Sequence, residues 1–137
     1  MLLLILLVQG CTDIASYDQA AYANATSLKV DALDLVGKAT SSFSAHTEDI
    51  RQLGLKLDKA YEYDKGRNKN EITVHQWDIL RDSNRELLGG FFKEWKESGH
   101  LLPAYVADKQ IQISRAFDTI IGLESGKLKP SDVSGSH

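Results

Sequence analysis

"DALDLVGKATSSFSAHTEDIRQL", Asp31 to Leu53, decides the fold. Apolar residues run into it and out of it at steps of three or four. The stripe reads Ile14, Tyr17, Ala21, Ala25, Leu28, Ala32, Leu35, Ala39, Phe43, His46, Ile50, Leu53, Leu57 and Ala60. That spacing places all of them on one face of a helix, with coiled-coil character. Gly37 and the Thr40-Ser41-Ser42 cluster, inside the quoted stretch, are poor helix formers. A reversal could occur there. The stripe keeps its phase through both and no proline interrupts it, so the expectation is a single helix over residues 13 to 64. At 1.5 Å per residue, some 50 residues would reach about 75 Å. Thr12 or Asp13 could cap its start and Gly66 its end.

The second half reads as shorter helices. Thr73-Val74-His75-Gln76 fits a capping box opening a short helix that holds Trp77, Ile79 and Leu80. Ser83-Asn84-Arg85-Glu86 fits a second one, followed by Leu88, Phe91, Phe92 and Trp95 at helical spacing, with Gly99 as the stop. Pro103 suits a first helical position. Val106, Ile113, Phe117, Ile120 and Ile121 then face inward, and Gly126 stops that helix. No segment shows a sustained period of two. The expected fold is therefore all-α: an elongated helical bundle with one long N-terminal helix and two to three shorter helices packing back along it. Gly89-Gly90, inside a helical pattern, calls for close approach of another helix, with the alanine-rich first half of the long helix as the expected neighbour; a kink or simple tolerance of the two glycines are the other readings.

Composition narrows the function. The chain has 137 residues, enough for one domain, with 16 Lys+Arg against 19 Asp+Glu and a net charge of −3. That balance gives no reason to expect nucleic acid as a partner. The single cysteine, Cys11, cannot form an internal disulfide.

Ahead of Cys11 stands an apolar run, Leu2 to Val8, too short to span a bilayer and matched to the core of a secretory signal. The other reading of the run is the first turns of a buried helix. Val8-Gln9-Gly10-Cys11 resembles the lipobox of bacterial lipoproteins, with an aliphatic residue three before the cysteine and a small one immediately before it. The resemblance covers residues 1–11 only. It implies cleavage before Cys11, lipidation of Cys11 and a membrane partner through that anchor. In enterobacterial lipoproteins an Asp after the cysteine commonly signals inner-membrane retention. Thr12 stands there, which leans toward the outer membrane. The expected organisation is a signal peptide over 1–10, a helical domain over 11–126 and a disordered tail over 127–137.

The constellations of catalysis are missing from the sequence. His46, His75, His100 and His137 include no pair at i, i+3 or i+4, so no helical metal pair is expected, nor any cofactor. His46 sits on the stripe and reads as an interior or boundary histidine. There is no P-loop and no G-x-S-x-G, and Cys11 belongs to the leader junction. The chain is not expected to be an enzyme. The candidate binding residues come from "DKAYEYDKG", Asp58 to Gly66, and the basic turn "KGRNKN", Lys65 to Asn70. They are Tyr61, Tyr63, Lys65 and Arg67, aromatic and cationic groups able to meet a sugar, a peptide or anionic headgroups. Two functions fit. One is a lipid-anchored, periplasm-facing envelope protein acting by contact with another envelope protein, as spacer, adaptor, inhibitor or exclusion-type factor. The other is a soluble periplasmic or cytoplasmic ligand-binding bundle without lipidation, for which a buried cavity between helices is the discriminating feature. An unpaired part of the stripe could also make a homo-oligomer.

Overall fold

The computed structural model describes residues 15–133. The leader, Cys11 and the last four residues lie outside them. Six helices pack into one bundle: α1 (Gln19–Gly37), α2 (Thr47–Lys65), α3 (Glu71–Arg81), α4 (Leu88–Ser98), α5 (Pro103–Glu124) and the single turn α6 (Pro130–Val133). Among the described residues there is no strand.

The single long helix is corrected to a hairpin. Asp18 caps α1, its Oδ1 accepting the Ala21 amide at 2.9 Å. The helix ends at Gly37, and the chain then reverses through a 3-10 turn at Phe43–Ala45. The reversal is held by polar groups that a continuous helix could not use. Ser41 Oγ and His46 Nε2, five residues apart, meet across it at 2.7 Å. Phe43 N–H donates to the Gly99 carbonyl at 2.7 Å, and Leu101 N–H donates to the Ala39 carbonyl at 2.8 Å. The Trp95 indole donates to the Ser41 carbonyl at 3.0 Å. A continuous helix would leave much of its stripe in water, whereas the hairpin lets each half cover the other. Lys56 Nζ meets Asp31 Oδ2 at 2.8 Å across it. The stripe itself is correct on both arms. Ala21, Ala25, Leu28, Ala32, Leu35, Ala39, Leu53, Leu57 and Ala60 are all buried, while Tyr17 is 61% exposed. The turns between the arms keep a helical step, so the inward positions survive the change of direction.

The central helix is α5. It runs antiparallel to α1 and packs against α1 and α3, with Ile113, Phe117 and Ile120 fully buried. Lys29 Nζ to Asp118 Oδ1 (2.5 Å) and Gln110 Nε2 to the Leu33 carbonyl (3.1 Å) fix its register on α1. Trp77 of α3 meets Phe117 edge-on at 6.0 Å. At the far end, Trp95 of α4 takes the edge of Phe43 at 5.5 Å and lies 5.4 Å from the His46 ring. His46 is the boundary histidine its stripe position suggests.

Pro103 stands in the first turn of α5, and Gly99 closes α4 at φ 82°, a left-handed conformation suited to glycine. Other boundaries differ from the sequence reading. α3 begins at Glu71, not at a Thr73 cap, and Thr73 is buried within it. Ser83–Glu86 forms no capping box. Asp82 Oδ1 accepts the Asn84 amide at 2.8 Å in a turn, and α4 begins at Leu88. Beyond Gly126 the chain turns back onto α5 and continues into α6. Leu128 N–H donates to the Gly122 carbonyl at 2.9 Å, and its side chain covers Gly122.

Gly89 and Gly90 do mark a close approach, but not to α1. A Cβ on Gly89 would run into the Arg81 carbonyl, and one on Gly90 into the Arg85 carbonyl oxygen. The neighbour is the backbone of the α3–α4 turn, which cannot step aside as a flexible side chain can. Gly89→Ala and Gly90→Ala should therefore each destabilise the protein by about 1–3 kcal/mol through overpacking. Gly54 is also helical, inside α2, and a Cβ there meets nothing within 4 Å. Gly54→Ala should stabilise by roughly 0.5–1 kcal/mol. Thermal melts of the three variants check the contrast, and a Gly89 or Gly90 variant that melts at or above wild type would overturn it.

Candidate functional site

The four candidate binding residues do not form one open site. Tyr61 is half-buried, with the Arg81 guanidinium 4.2 Å and the Lys65 ammonium 5.6 Å from its ring centre. Cation–π contact thus already occupies its ring. Arg81 is held in turn by Asp58. Tyr63 is 41% exposed, but its hydroxyl donates to Asp18 Oδ2 at 2.8 Å. This bond raises the Tyr63 pKa, and Asp18 is lowered by the Ala21 amide first and by Tyr63 second. Lys65 stays at the surface. Arg67 is not a solvated turn residue. Its side chain is only 14% exposed and forms the centre of a buried ionic cluster.

That cluster is the main polar feature of the described residues. α2 places Asp64 on its inner face, one step after Ala60 on the same stripe. α5 does the same with Glu124, one step after Ile120. Asp64 is 2% exposed and Glu124 3%. Arg67, in the turn after α2, reaches between them. Its Nη1 lies 2.5 Å from Glu124 Oε2 and 3.2 Å from Asp64 Oδ1. Its Nη2 donates to the Ser16 carbonyl at 2.6 Å, and its Nε stands 3.9 Å from Asp18 Oδ2. The Trp77 indole of α3 donates to Asp64 Oδ2 at 2.6 Å, and Asn70 Nδ2 to the Asp64 carbonyl at 3.0 Å. The cluster joins the segment before α1, the end of α2, α3 and the end of α5.

The two carboxylates are not equivalent. Both Asp64 oxygens receive a donor. Glu124 Oε2 receives Arg67, while the buried Oε1 has no partner. Burial, then the hydrogen bond and charge of Asp64, push the Glu124 carboxyl up to about 7, against the pull of Arg67. For Arg67, burial works against the charge, but the bonds and charges of Glu124 and Asp64 outweigh it and raise the pKa. Asp64, Asn70, Trp77 and Glu124 were not among the candidates from the sequence. Two of them carried a signal there, a carboxylate standing on the buried phase of an apolar stripe.

Among the described residues, no group of three His, Cys, Asp or Glu side chains is placed to hold a metal ion. No helix among them is long and apolar enough to cross a membrane. A buried cavity is what the ligand-binding alternative calls for. Two sizeable depressions among the described residues are open to solvent. One, about 340 Å³, lies between α1 and α2 beside Lys56, Lys59 and Tyr63. The other, about 780 Å³, lies between α4 and α5. In the latter, Lys109 is buried with its Nζ donating to the Glu86 carbonyl at 2.9 Å, which pins the turn before α4 onto α5. The groove's Glu94 and Asp108 are engaged by the Tyr105 hydroxyl and by Gln112. Burial, then Glu94, pushes the Tyr105 phenol far up, so it stays a donor.

Removing Arg67 leaves two buried carboxylates without their shared cation. Arg67→Met should cost about 3–5 kcal/mol at neutral pH, the usual penalty for breaking a buried ionic cluster from one side. Trp77→Phe removes one donor from Asp64 and should cost about 1–3 kcal/mol. Lys65→Met, at the surface, should stay within about 0.5 kcal/mol. Urea denaturation at pH 7 ranks the three, and an Arg67 variant no weaker than the Lys65 variant would contradict a structural role for the cluster.

Comparison of the chain with protein-family models, with curated proteins and with solved structures finds no match for it.

Proposed function

We propose that the protein is anchored in the bacterial envelope by lipid on Cys11, faces the periplasm and acts by contact with another envelope protein. The observation that carries this reading is the run Leu2–Val8 closing on Val8-Gln9-Gly10-Cys11, with the chain's single cysteine at the junction. A single acyl chain holds a protein only marginally, and the two or three chains of a lipoprotein anchor hold it firmly.

The geometry of the bundle is compatible with such an anchor. Gln19, the start of α1, stands eight positions after Cys11, a reach of at most roughly 29 Å. An anchor there would bring the end of the bundle that carries Lys65, Lys69, Lys127 and Lys129 toward the headgroups, where cationic side chains are favoured by anionic lipid. The α4–α5 end would then point into the periplasm. Thr12 after the cysteine favours the outer membrane as the site of anchoring. The hairpin weakens one version of the proposal. The longest helix, α5, has 22 residues and spans about 33 Å, so the bundle has little reach as a spacer. An adaptor, inhibitor or exclusion-type factor fits its size better.

Labelling with a radioactive fatty acid in a lipidation-competent bacterial host tests the anchor. Wild-type protein should incorporate label and lose its leader. Cys11→Ser should do neither and accumulate as a precursor. An unlabelled wild type would refute the proposal.

A further inference from the structure

We infer that the Arg67 cluster is a proton-dependent latch: a proton on Glu124 holds the end of α5, the turn after α2 and the Ser16–Asp18 segment together, and its loss loosens that end of the bundle.

The inference begins with a count of donors. Four carboxylate oxygens meet in the buried cluster. Arg67 Nη1 serves Asp64 Oδ1 and Glu124 Oε2, and the Trp77 indole serves Asp64 Oδ2. Glu124 Oε1 is buried and has no donor. With both acids ionised, the cluster holds two negative charges against one positive, and one oxygen is left bare. A proton on Glu124 removes both faults. It neutralises the excess charge and supplies a donor toward Asp64, as two carboxyls in one site commonly do.

Among the described residues, no second buried cation reaches the cluster. The groups that reach the cluster are Asp64 and Tyr63 from α2, Arg67 and Asn70 from the turn after it, Trp77 from α3, and Asp18 with the Ser16 carbonyl from the segment before α1. Asp18 adds negative charge, and Tyr63 is bonded to it. Lys65, Lys69, Glu71, Lys127, Lys129 and Asp132 belong to the same end but are exposed, and water screens them.

Arg67 makes this charge balance mechanical. The same guanidinium that bridges the carboxylates also grips the Ser16 carbonyl at 2.6 Å and stands against Asp18. When the proton leaves, the two carboxylates repel and the space between them opens to water. Arg67 then loses the frame that holds it on the segment before α1. Where Cys11 is the lipid anchor, as proposed above, that segment is the tether, so pH sets how firmly the bundle is fixed to it.

The sign follows from the raised Glu124 pKa. The folded end binds its proton up to about pH 7, whereas an opened end releases it near the ordinary value of 4.5. Stability at this end is full below about 4.5 and is lost as pH rises to about 7. Between pH 5 and pH 7.5 the opening constant should rise on the order of tens of fold, since each pH unit inside the window contributes up to about tenfold.

Two measurements on the purified full-length protein in mild detergent test this. Carbon-detected NMR titration of the Glu124 side-chain carboxyl in wild type should give a midpoint near 7. Hydrogen exchange, corrected for intrinsic base catalysis, should show protection of the Ser16–Asp18, Asp64–Thr73 and Gly122–Ser125 amides falling by tens of fold from pH 5 to pH 7.5. Protection in the middle of α2 should change little. Glu124→Gln carries a permanent donor on a neutral side chain and should remove the pH dependence. A Glu124 midpoint at or below 5 would overturn the latch, and so would equal pH dependence in wild type and Glu124→Gln. If the variant fails to fold, the wild-type titration alone decides. Neither measurement requires acylation, so a failed latch and a failed anchor are told apart.

Discussion

One guanidinium organises the end of this bundle where most of the chain segments meet. Arg67 sits between carboxylates from α2 and α5 and holds the backbone that leads into α1. Without it, α5 would bring Glu124 with no donor against an Asp64 held only by the Trp77 indole and Asn70, across a dry interface. Burying a carboxylate alone costs several kcal/mol, so the two helix ends would close far less firmly. Trp77 depends on the same arrangement. Its indole N–H is satisfied by Asp64, which lets the ring be fully buried and pack on Phe117. The polar cluster and the apolar core next to it are therefore one construction.

The opposite end is built on a different rule. There the reversal between α1 and α2 is closed by backbone groups and an indole rather than by charge. Trp95 lies under the turn, its ring against Phe43 and His46 and its N–H on the Ser41 carbonyl. Ionic bonding at one end and aromatic packing at the other give the bundle two ends that respond differently to solvent.

The periodicity of the apolar stripe identified which residues face the core and misjudged where the chain goes. Ala39, Phe43 and Ile50 keep three- and four-residue spacing around the reversal because the turns there have a helical step. Period reports the side that a residue faces and carries no information on direction. The bonds that fix the direction come from Trp95, Gly99 and Leu101, more than fifty residues away. The T-x-x-Q pattern at Thr73 misled for a similar reason, since Asn70 already begins the helix and its carbonyl accepts the Val74 amide. Asp64 and Glu124 were visible as carboxylates on buried phases. That Arg67 would join them was not, because a turn residue has no phase. Tyr61 and Tyr63 were conspicuous among charges, and charged groups from elsewhere in the chain, Arg81 and Asp18, occupy them.

The two backbone bonds between the α1–α2 reversal and the α4–α5 connection bear on the order of assembly. Phe43 finds its acceptor at Gly99, and the Ala39 carbonyl finds its donor at Leu101. A nascent chain that ends before Gly99 has neither, nor the Trp95–Ser41 pairing in its final frame. The first hairpin therefore cannot complete its turn by local contacts alone. Closing a loop of this length carries its entropic cost before the contacts return anything, which slows the step. α1 and α2 emerge before their reversal can close, so that turn waits for the chain as far as Leu101 to be made.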